Sequence, residues 1–335
     1  MSTGLTLPVY ADIEAAAQRI EGAAIRTPLL ENPRVNDRLG GRLLIKAEPL
    51  QRTGSFKFRG AYNFISQLDS ARRQAGVVAW SSGNHAQGVA EAARVLNTPA
   101  TIVMPSDAPA IKVANTRASG AQVVFYDRLN DDREAIARGL AEREGRTPIP
   151  PYDHPWIIAG QGTIGPEVID QAGALGATLN VVIAPCSGGG LSTGIATAVK
   201  AISPATQCFA AEPAGFDDLA RSLASGTIQR NERLTGSFCD ALLAPCPGNY
   251  TFALARRHLA GSLVATDDEV AAAMELAFRE FKLVVEPGGA VGLACVLNER
   301  LPLKGCTVCV VCSGGNVDGE VFRAALATAA RQQSG

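Results

Sequence analysis

Lys57 stands four residues before Ala61 in a stretch whose apolar positions, Ala61, Phe64, Ile65 and Leu68, have the spacing of one buried helical stripe. A lysine there sits either in a solvated first turn or in a buried position. Burial penalises the ammonium, lowers its pKa and leaves a nucleophilic amine able to form imines with carbonyl compounds. A second feature is suited to an anion. Ser187-Gly188-Gly189-Gly190 follows an apolar run at 181–184 and precedes a helical pattern over about 191–201. Glycines let backbone N–H groups approach an anion closely, and the helix start adds the positive end of its dipole.

This loop is no nucleotide cradle. No Gly-Lys-Ser/Thr follows it, and the dinucleotide G-x-G-x-x-G pattern is missing. A terminal phosphate monoester without a nucleotide fingerprint points toward pyridoxal phosphate. Three thiols at Cys306, Cys309 and Cys312 have the look of a metal run, but they lie in a segment, 307–312, that reads as a buried strand. Side chains alternate across a strand, so Cys309 is expected to point away from the other two. They read as core thiols of a reducing compartment.

The elements that must position these groups alternate along the chain. Short apolar runs at 43–45, 77–80, 101–104, 122–126, 181–184, 209–211 and 307–312 read as strands. Helical patterns lie between most of them, for example over 84–95 and 267–281. This alternation predicts α/β architecture with parallel sheets covered on both faces. At 335 residues the chain fits two domains. The proline-rich stretch 145–154 is the best candidate seam, and 49–54 a second. Net charge is −1, which suggests neither a nucleic-acid binder nor a membrane-surface protein. No apolar run approaches the length of a membrane span, and residues 1–10 lack the pattern of a signal peptide, so the cytoplasm is the expected location.

Taken together, the motifs resemble those of the fold-type II pyridoxal-phosphate (PLP) enzymes, specifically the threonine/serine dehydratases (ammonia-lyases) and serine racemases. The resemblance runs from Arg26-Thr27-Pro28-Leu29 to Ser313-Gly314-Gly315-Asn316-Val317-Asp318. Gln51-Arg52-Thr53-Gly54-Ser55-Phe56-Lys57-Phe58-Arg59-Gly60-Ala61 looks like the family's Schiff-base segment. Ser81-Ser82-Gly83-Asn84-His85 looks like its substrate-carboxylate loop, and Ser187 to Leu191 like its phosphate loop. Glu286-Pro287-Gly288-Gly289-Ala290 and the Ser313 segment look like its two late motifs.

The resemblance implies a tryptophan synthase β-like fold: two doubly wound α/β domains with the cofactor in the cleft. The large domain is expected to combine 1–52 with 147–335, and a small mobile domain to span 53–146. It implies Lys57 as Schiff-base residue and proton carrier, with Phe56 beside it. Asn84 is implied at the cofactor's 3′-oxygen; Ser187, Gly188, Gly189, Gly190 and Leu191 at its phosphate; Glu286 at the cofactor; Ser313 at its pyridine nitrogen. Ser81, Ser82, Gly83, Asn84 and His85 would meet the substrate. The implied reaction is β-elimination from L-threonine, L-serine or a related β-hydroxy amino acid, giving a 2-oxo acid and ammonia. A neutral hydroxyl at the pyridine makes a weaker electron sink than a carboxylate and suits elimination over transamination. In the family's racemases the serine matching Ser82 protonates the opposite face of Cα, so Ser82 opens the racemase alternative. The resemblance also implies a divalent-cation site, Mg²⁺ or Ca²⁺, at Glu212, Asp218 and the Phe216 carbonyl, and a homodimer.

Three positions depart from the commonest family pattern. Glu48-Pro49 stands where Glu-Asn is frequent, Ser187 where a glycine is frequent, and Asp240-Ala241 where Asp-Gly is frequent. The last lies beside the cofactor and brings 3-hydroxyaspartate or a bulkier substrate into range. The chain ends soon after about residue 330, without room for the regulatory domain of biosynthetic threonine dehydratases. Two other readings compete. A β-replacement synthase of the cysteine-synthase type usually carries Thr-Ser-Gly-Asn-Thr in the carboxylate loop. A non-catalytic phosphate-ligand binding protein has no use for Lys57.

Overall fold

The computed structural model describes residues 5–332 apart from Ser82, Pro109 and Arg128. Its strands, in chain order, are β1 (Leu29–Glu31), β2 (Arg42–Ala47), β3 (Val77–Trp80), β4 (Ala100–Pro105), β5 (Gln122–Tyr126), β6 (Thr147–Pro148), β7 (Val181–Pro185), β8 (Gln207–Pro213), β9 (Gly261–Ala265) and β10 (Thr307–Cys312). They form two sheets. The larger runs β1-β2-β10-β7-β8-β9 and the smaller β5-β4-β3-β6. Every pairing is parallel except β1 with β2. The smaller sheet therefore lies within the chain between two halves of the larger one.

The apolar runs behave as doubly covered strands. In β10, Val308, Val310 and Cys312 join one core cluster, while Cys309 and Val311 join the cluster on the other face. Cys306 packs against the first. The three thiols are thus split across the sheet, and all eight cysteines are free.

The strands at 77–80, 122–126 and 307–312 and the helices Asn84–Val95 and Asp267–Phe281 have the expected bounds. The last begins with a capping box: Thr266 Oγ1 accepts from the Glu269 N–H, and the Glu269 carboxylate accepts from the Thr266 N–H at 2.8 Å. β1, β6 and β9 were not expected. β6 is two residues long with a proline. β9 is a half-exposed edge strand, so it lacks the continuous apolar run that marks a buried one. Over 48–54 the chain makes two short 3₁₀ turns, Glu48–Leu50 and Arg52–Gly54.

A buried ionic network ties the helix Lys57–Ser66 to the larger sheet. Arg59 has no exposure. It donates to both Glu48 oxygens (2.8 and 2.9 Å), to both Glu167 oxygens (2.6 and 3.0 Å), to Thr163 Oγ1 and to the Ile25 carbonyl. Lys46, on β2, donates to Glu167, Gln171 and the Thr27 carbonyl. Buried charges persist only when paired and hydrogen-bonded in this way. The network lies two residues from Lys57 and fixes where that helix begins.

Candidate active site

Lys57 is the first residue of its helix. The loop before it is stitched to the loop after β10. Ser55 and Gly314 form an isolated antiparallel bridge, Phe56 N–H donates to the Ser313 carbonyl at 3.1 Å, and Gly315 N–H donates to the Gly54 carbonyl at 2.9 Å. Two motifs more than 250 residues apart in sequence thus form one rigid unit. The Lys57 ammonium donates to the Pro151 carbonyl at 2.6 Å and lies 5.3 Å from the Phe56 ring centroid. Burial lowers its pKa to about 8, against the opposing pull of Glu286. The residue is half-buried and borders open space.

That space is a cleft of 1250 Å³. Phe56, Lys57, Ser81, Gly83, Asn84, His85, Ser187, Gly188, Gly189, Gly190, Leu191, Glu286 and Ser313 all line it. Ser82 lies outside the described residues. The cofactor and substrate positions expected from the sequence are therefore brought to one cavity, whereas Glu212, Phe216 and Asp218 are not among its lining.

The anion cradle joins β7 to the helix Gly190–Ile202. Gly189 is the N-cap with φ +96°, and no side chain caps the helix start. Those first N–H groups remain for a ligand. A Cβ on Gly188 would stand 2.3 Å from the Tyr152 ring, so only glycine lets the loop approach so closely. Thr251 Oγ1 donates to the Gly188 carbonyl and Thr193 Oγ1 to that of Gly189, both at 2.7 Å, which turns these carbonyls away from an anion. Ser187 Oγ accepts from the Ala244 N–H at 3.0 Å, leaving its own proton to donate. This loop fits a terminal phosphate.

On the facing wall, Asn84 opens the helix Asn84–Val95. Its Nδ2 donates to Glu286 Oε1 at 2.6 Å and its Oδ1 accepts from Asn316 Nδ2 at 2.8 Å. Asn316 also donates to the Thr53 carbonyl at 2.7 Å. Burial, with Asp240 adding to it, pushes the Glu286 carboxyl up to about 8; Asn84, Lys112 and Lys57 oppose the rise. His85 Nε2 lies 3.0 Å from the Ile149 carbonyl. Burial and then Lys57 pull its pKa down to about 3, so it is a neutral imidazole donating to that carbonyl. This contact ties the 81–85 loop to the chain after β6. Ser81 Oγ accepts from the Gly83 N–H at 3.2 Å, shaping the same loop.

Asn316, Pro151, Tyr152 and Lys112 were given no role by the sequence. Asn316 lies inside the Ser313 motif, which was a usable signal. A backbone carbonyl such as that of Pro151 leaves no mark on residue type.

The expected cation site lies beyond β8. The Glu212 carboxylate is buried and accepts from the Leu219 and Ala220 N–H groups and from Ser262 Oγ. Asp218 Oδ1 accepts from Asn231 Nδ2 at 2.6 Å, while its buried Oδ2 has no hydrogen-bond partner. Burial raises both carboxyls, Glu212 to about 8 and Asp218 to about 6; Asp218 adds to the first rise and Asp217 to the second. Among the described residues no three His, Cys, Asp or Glu side chains converge as a metal cage. Hard oxygen donors with one orphaned oxygen fit Mg²⁺ or Ca²⁺ only if carbonyl groups or water complete the shell.

Comparison with known proteins agrees with this geometry. Residues 20–314 match the family model described as pyridoxal-phosphate dependent enzyme. The chain is 45% identical over 322 residues to an L-threo-3-hydroxyaspartate ammonia-lyase of Pseudomonas sp, covering 96% of this chain and 99% of that protein. It is 40% identical to a serine racemase of Schizosaccharomyces pombe, covering 96% and 98%. The crystal structure of a T.th. threonine deaminase superposes with a TM-score of 0.87 at 45% identity, covering 93% and 99%. With the match spanning most of the chain, and the lysine and glycine loop facing one cleft, this protein belongs to the family of pyridoxal-phosphate dependent enzymes.

Proposed function

We propose that the protein is a PLP-dependent lyase that removes the β-hydroxyl and amino groups of a β-hydroxy amino acid, giving a 2-oxo acid and ammonia. The observation that carries this reading is the Lys57 amine, lowered to about 8 and facing the same cleft as an uncapped glycine-rich helix start. Lys57 would hold the cofactor covalently, and the N–H groups over 188–191 would hold its phosphate. Asn84, oriented by Glu286 and Asn316, would meet the cofactor's 3′-oxygen, and Ser313, which lines the same cleft, would partner its pyridine nitrogen. When bound, PLP supplies the electron sink that acidifies the substrate's Cα proton. The Lys57 amine would be the group that accepts that proton. The 81–85 loop binds the substrate carboxylate. The elements built on residues 53–146 close over the cleft and exclude water.

The test is an assay of 2-oxo acid and ammonia across both stereoisomers of serine, threonine and 3-hydroxyaspartate. Equimolar release of both products from at least one is expected. Turnover only of O-acetylserine with sulfide, to a new amino acid, would refute elimination in favour of replacement. The likeness to serine racemases gives a second reading through Ser82; D-serine formed from L-serine in the same tubes would support it.

We also assign Glu212, Asp218 and the Phe216 carbonyl to a divalent cation, supported by the orphaned Asp218 oxygen. Millimolar Mg²⁺ or Ca²⁺ is expected to raise the melting temperature and EDTA to lower it. Indifference to both, in protein shown to be metal-free, would remove the assignment.

A further inference from the structure

One ion pair spans the cleft and has no part in the chemistry above. Lys112 lies on the helix Ala110–Ala118, which belongs with the smaller sheet, and Asp240 on the 3₁₀ turn Asp240–Leu242 of the larger body. Lys112 Nζ and Asp240 Oδ2 are 3.6 Å apart, and both residues line the cleft. The two partners are unequal. The Lys112 side chain is 25% exposed, while the Asp240 side chain is 66% exposed. The cation is thus mostly withdrawn from water, but its counter-ion remains hydrated. A pair with one solvated member contributes little to stability and exchanges readily for a better anion. Both groups act electrostatically on Glu286, which accepts from Asn84 Nδ2, and all four residues line the cleft.

Other cations lining the cleft are placed differently. Lys57 is committed to the cofactor. Arg230 is exposed and donates to Cys246 Sγ at 3.3 Å. Cys246 in turn accepts the Tyr152 hydroxyl at its carbonyl, and Tyr152 packs on Gly188, which places Arg230 towards the phosphate cradle. Arg133 is exposed at the start of its helix.

We propose that Lys112 is a specificity-determining residue that binds a carboxylate on the substrate's side chain, that the preferred substrate class is therefore an acidic β-hydroxy amino acid, and that Asp240 occupies this ammonium until such a substrate displaces it. The proposal rests on the elimination reading and refines its substrate. Serine and threonine carry no second anion, so they leave the Lys112–Asp240 pair in place. A substrate such as 3-hydroxyaspartate exchanges a hydrated counter-ion for one enclosed in the cleft, where attraction is stronger.

The experiment measures kcat/KM for L-threo-3-hydroxyaspartate and for L-serine in the PLP-loaded wild type, Lys112→Met, Lys112→Arg, Asp240→Asn and Arg133→Met. The wild type is expected to favour hydroxyaspartate. Lys112→Met is expected to lower the hydroxyaspartate-to-serine ratio by at least about tenfold, chiefly through KM, the scale of one lost charged hydrogen bond. Lys112→Arg is expected to keep most of the ratio. Asp240→Asn is expected to raise it, because the competing carboxylate is gone. Equal loss for both substrates in Lys112→Met would reduce Lys112 to a structural role and overturn the proposal. So would a ratio that falls only in Arg133→Met, or a wild type that turns over serine but not hydroxyaspartate. A loaded wild type inert towards both would overturn the elimination reading and this assignment with it.

Discussion

Lys57→Ala is expected to abolish 2-oxo acid release, by more than about 10⁴-fold, because one side chain serves both as covalent anchor and as proton acceptor. The variant is expected to fold. Lys57 begins its helix at the cleft wall, and its one direct hydrogen bond is to the Pro151 carbonyl. Removing it costs one polar contact and none of the Arg59 network. Lys57→Arg is expected to be as inactive as the alanine variant, since a guanidinium neither forms an imine nor accepts a proton near neutral pH. Activity assays with matched melting curves check both points. Turnover within tenfold of wild type by either variant, with excess PLP present, would move the chemistry away from this residue.

Arg59→Met is expected to destabilise the fold by about 3–5 kcal/mol, the usual scale for removing one partner of a buried ionic group. The loss leaves the Glu48 carboxylate, fully buried, with only Thr27 Oγ1 of its present side-chain partners. Glu167 keeps Lys46. Although burial pushes Glu167 up, Arg59 and Lys46 hold it below its ordinary value. In the wild type that depressed pKa contributes stability that is present above the ordinary glutamate value and lost as pH falls through the lowered one. Without Arg59 the shift is reversed or removed, so acid below the ordinary glutamate value is expected to narrow the gap between variant and wild type. Glu48→Gln in the Arg59→Met background is expected to recover part of the loss. Chemical denaturation at about pH 4 and 7.5 reads all three. Equal stability of variant and wild type at the higher pH would show the network to be neutral. The same variant is expected to weaken cofactor binding, since Arg59 fixes the start of the Lys57 helix.

Much of this molecule was readable from residue order, and the unreadable parts share a cause. β10 and β7 are continuous apolar runs because helices cover both faces, so pattern alone located them. β9 is a half-exposed edge and β6 two residues long, so neither carries a pattern of its own. At the site, residue type and spacing singled out Lys57 and the glycines over 188–190, and the resemblance supplied Asn84. Neither marked the groups that act through backbone or through distance. The Pro151 carbonyl on Lys57, the Tyr152 ring under Gly188 and the Lys112–Asp240 pair are products of the tertiary fold. The resemblance placed His85 in the substrate loop, and its contact with the Ile149 carbonyl is a further product of the tertiary fold.

Everything proposed for the cleft depends on Lys57, and no other lysine, carrying the cofactor. Borohydride reduction of the PLP-loaded protein converts a lysine imine into a stable secondary amine, which survives proteolysis and can be located by peptide mass spectrometry. The expected result is one pyridoxyl group per chain, on the peptide containing Lys57, with the label lost in Lys57→Ala. A stoichiometric label on Lys46, Lys112 or any other lysine, with Lys57 unmodified, would contradict that assignment and the mechanism built on it.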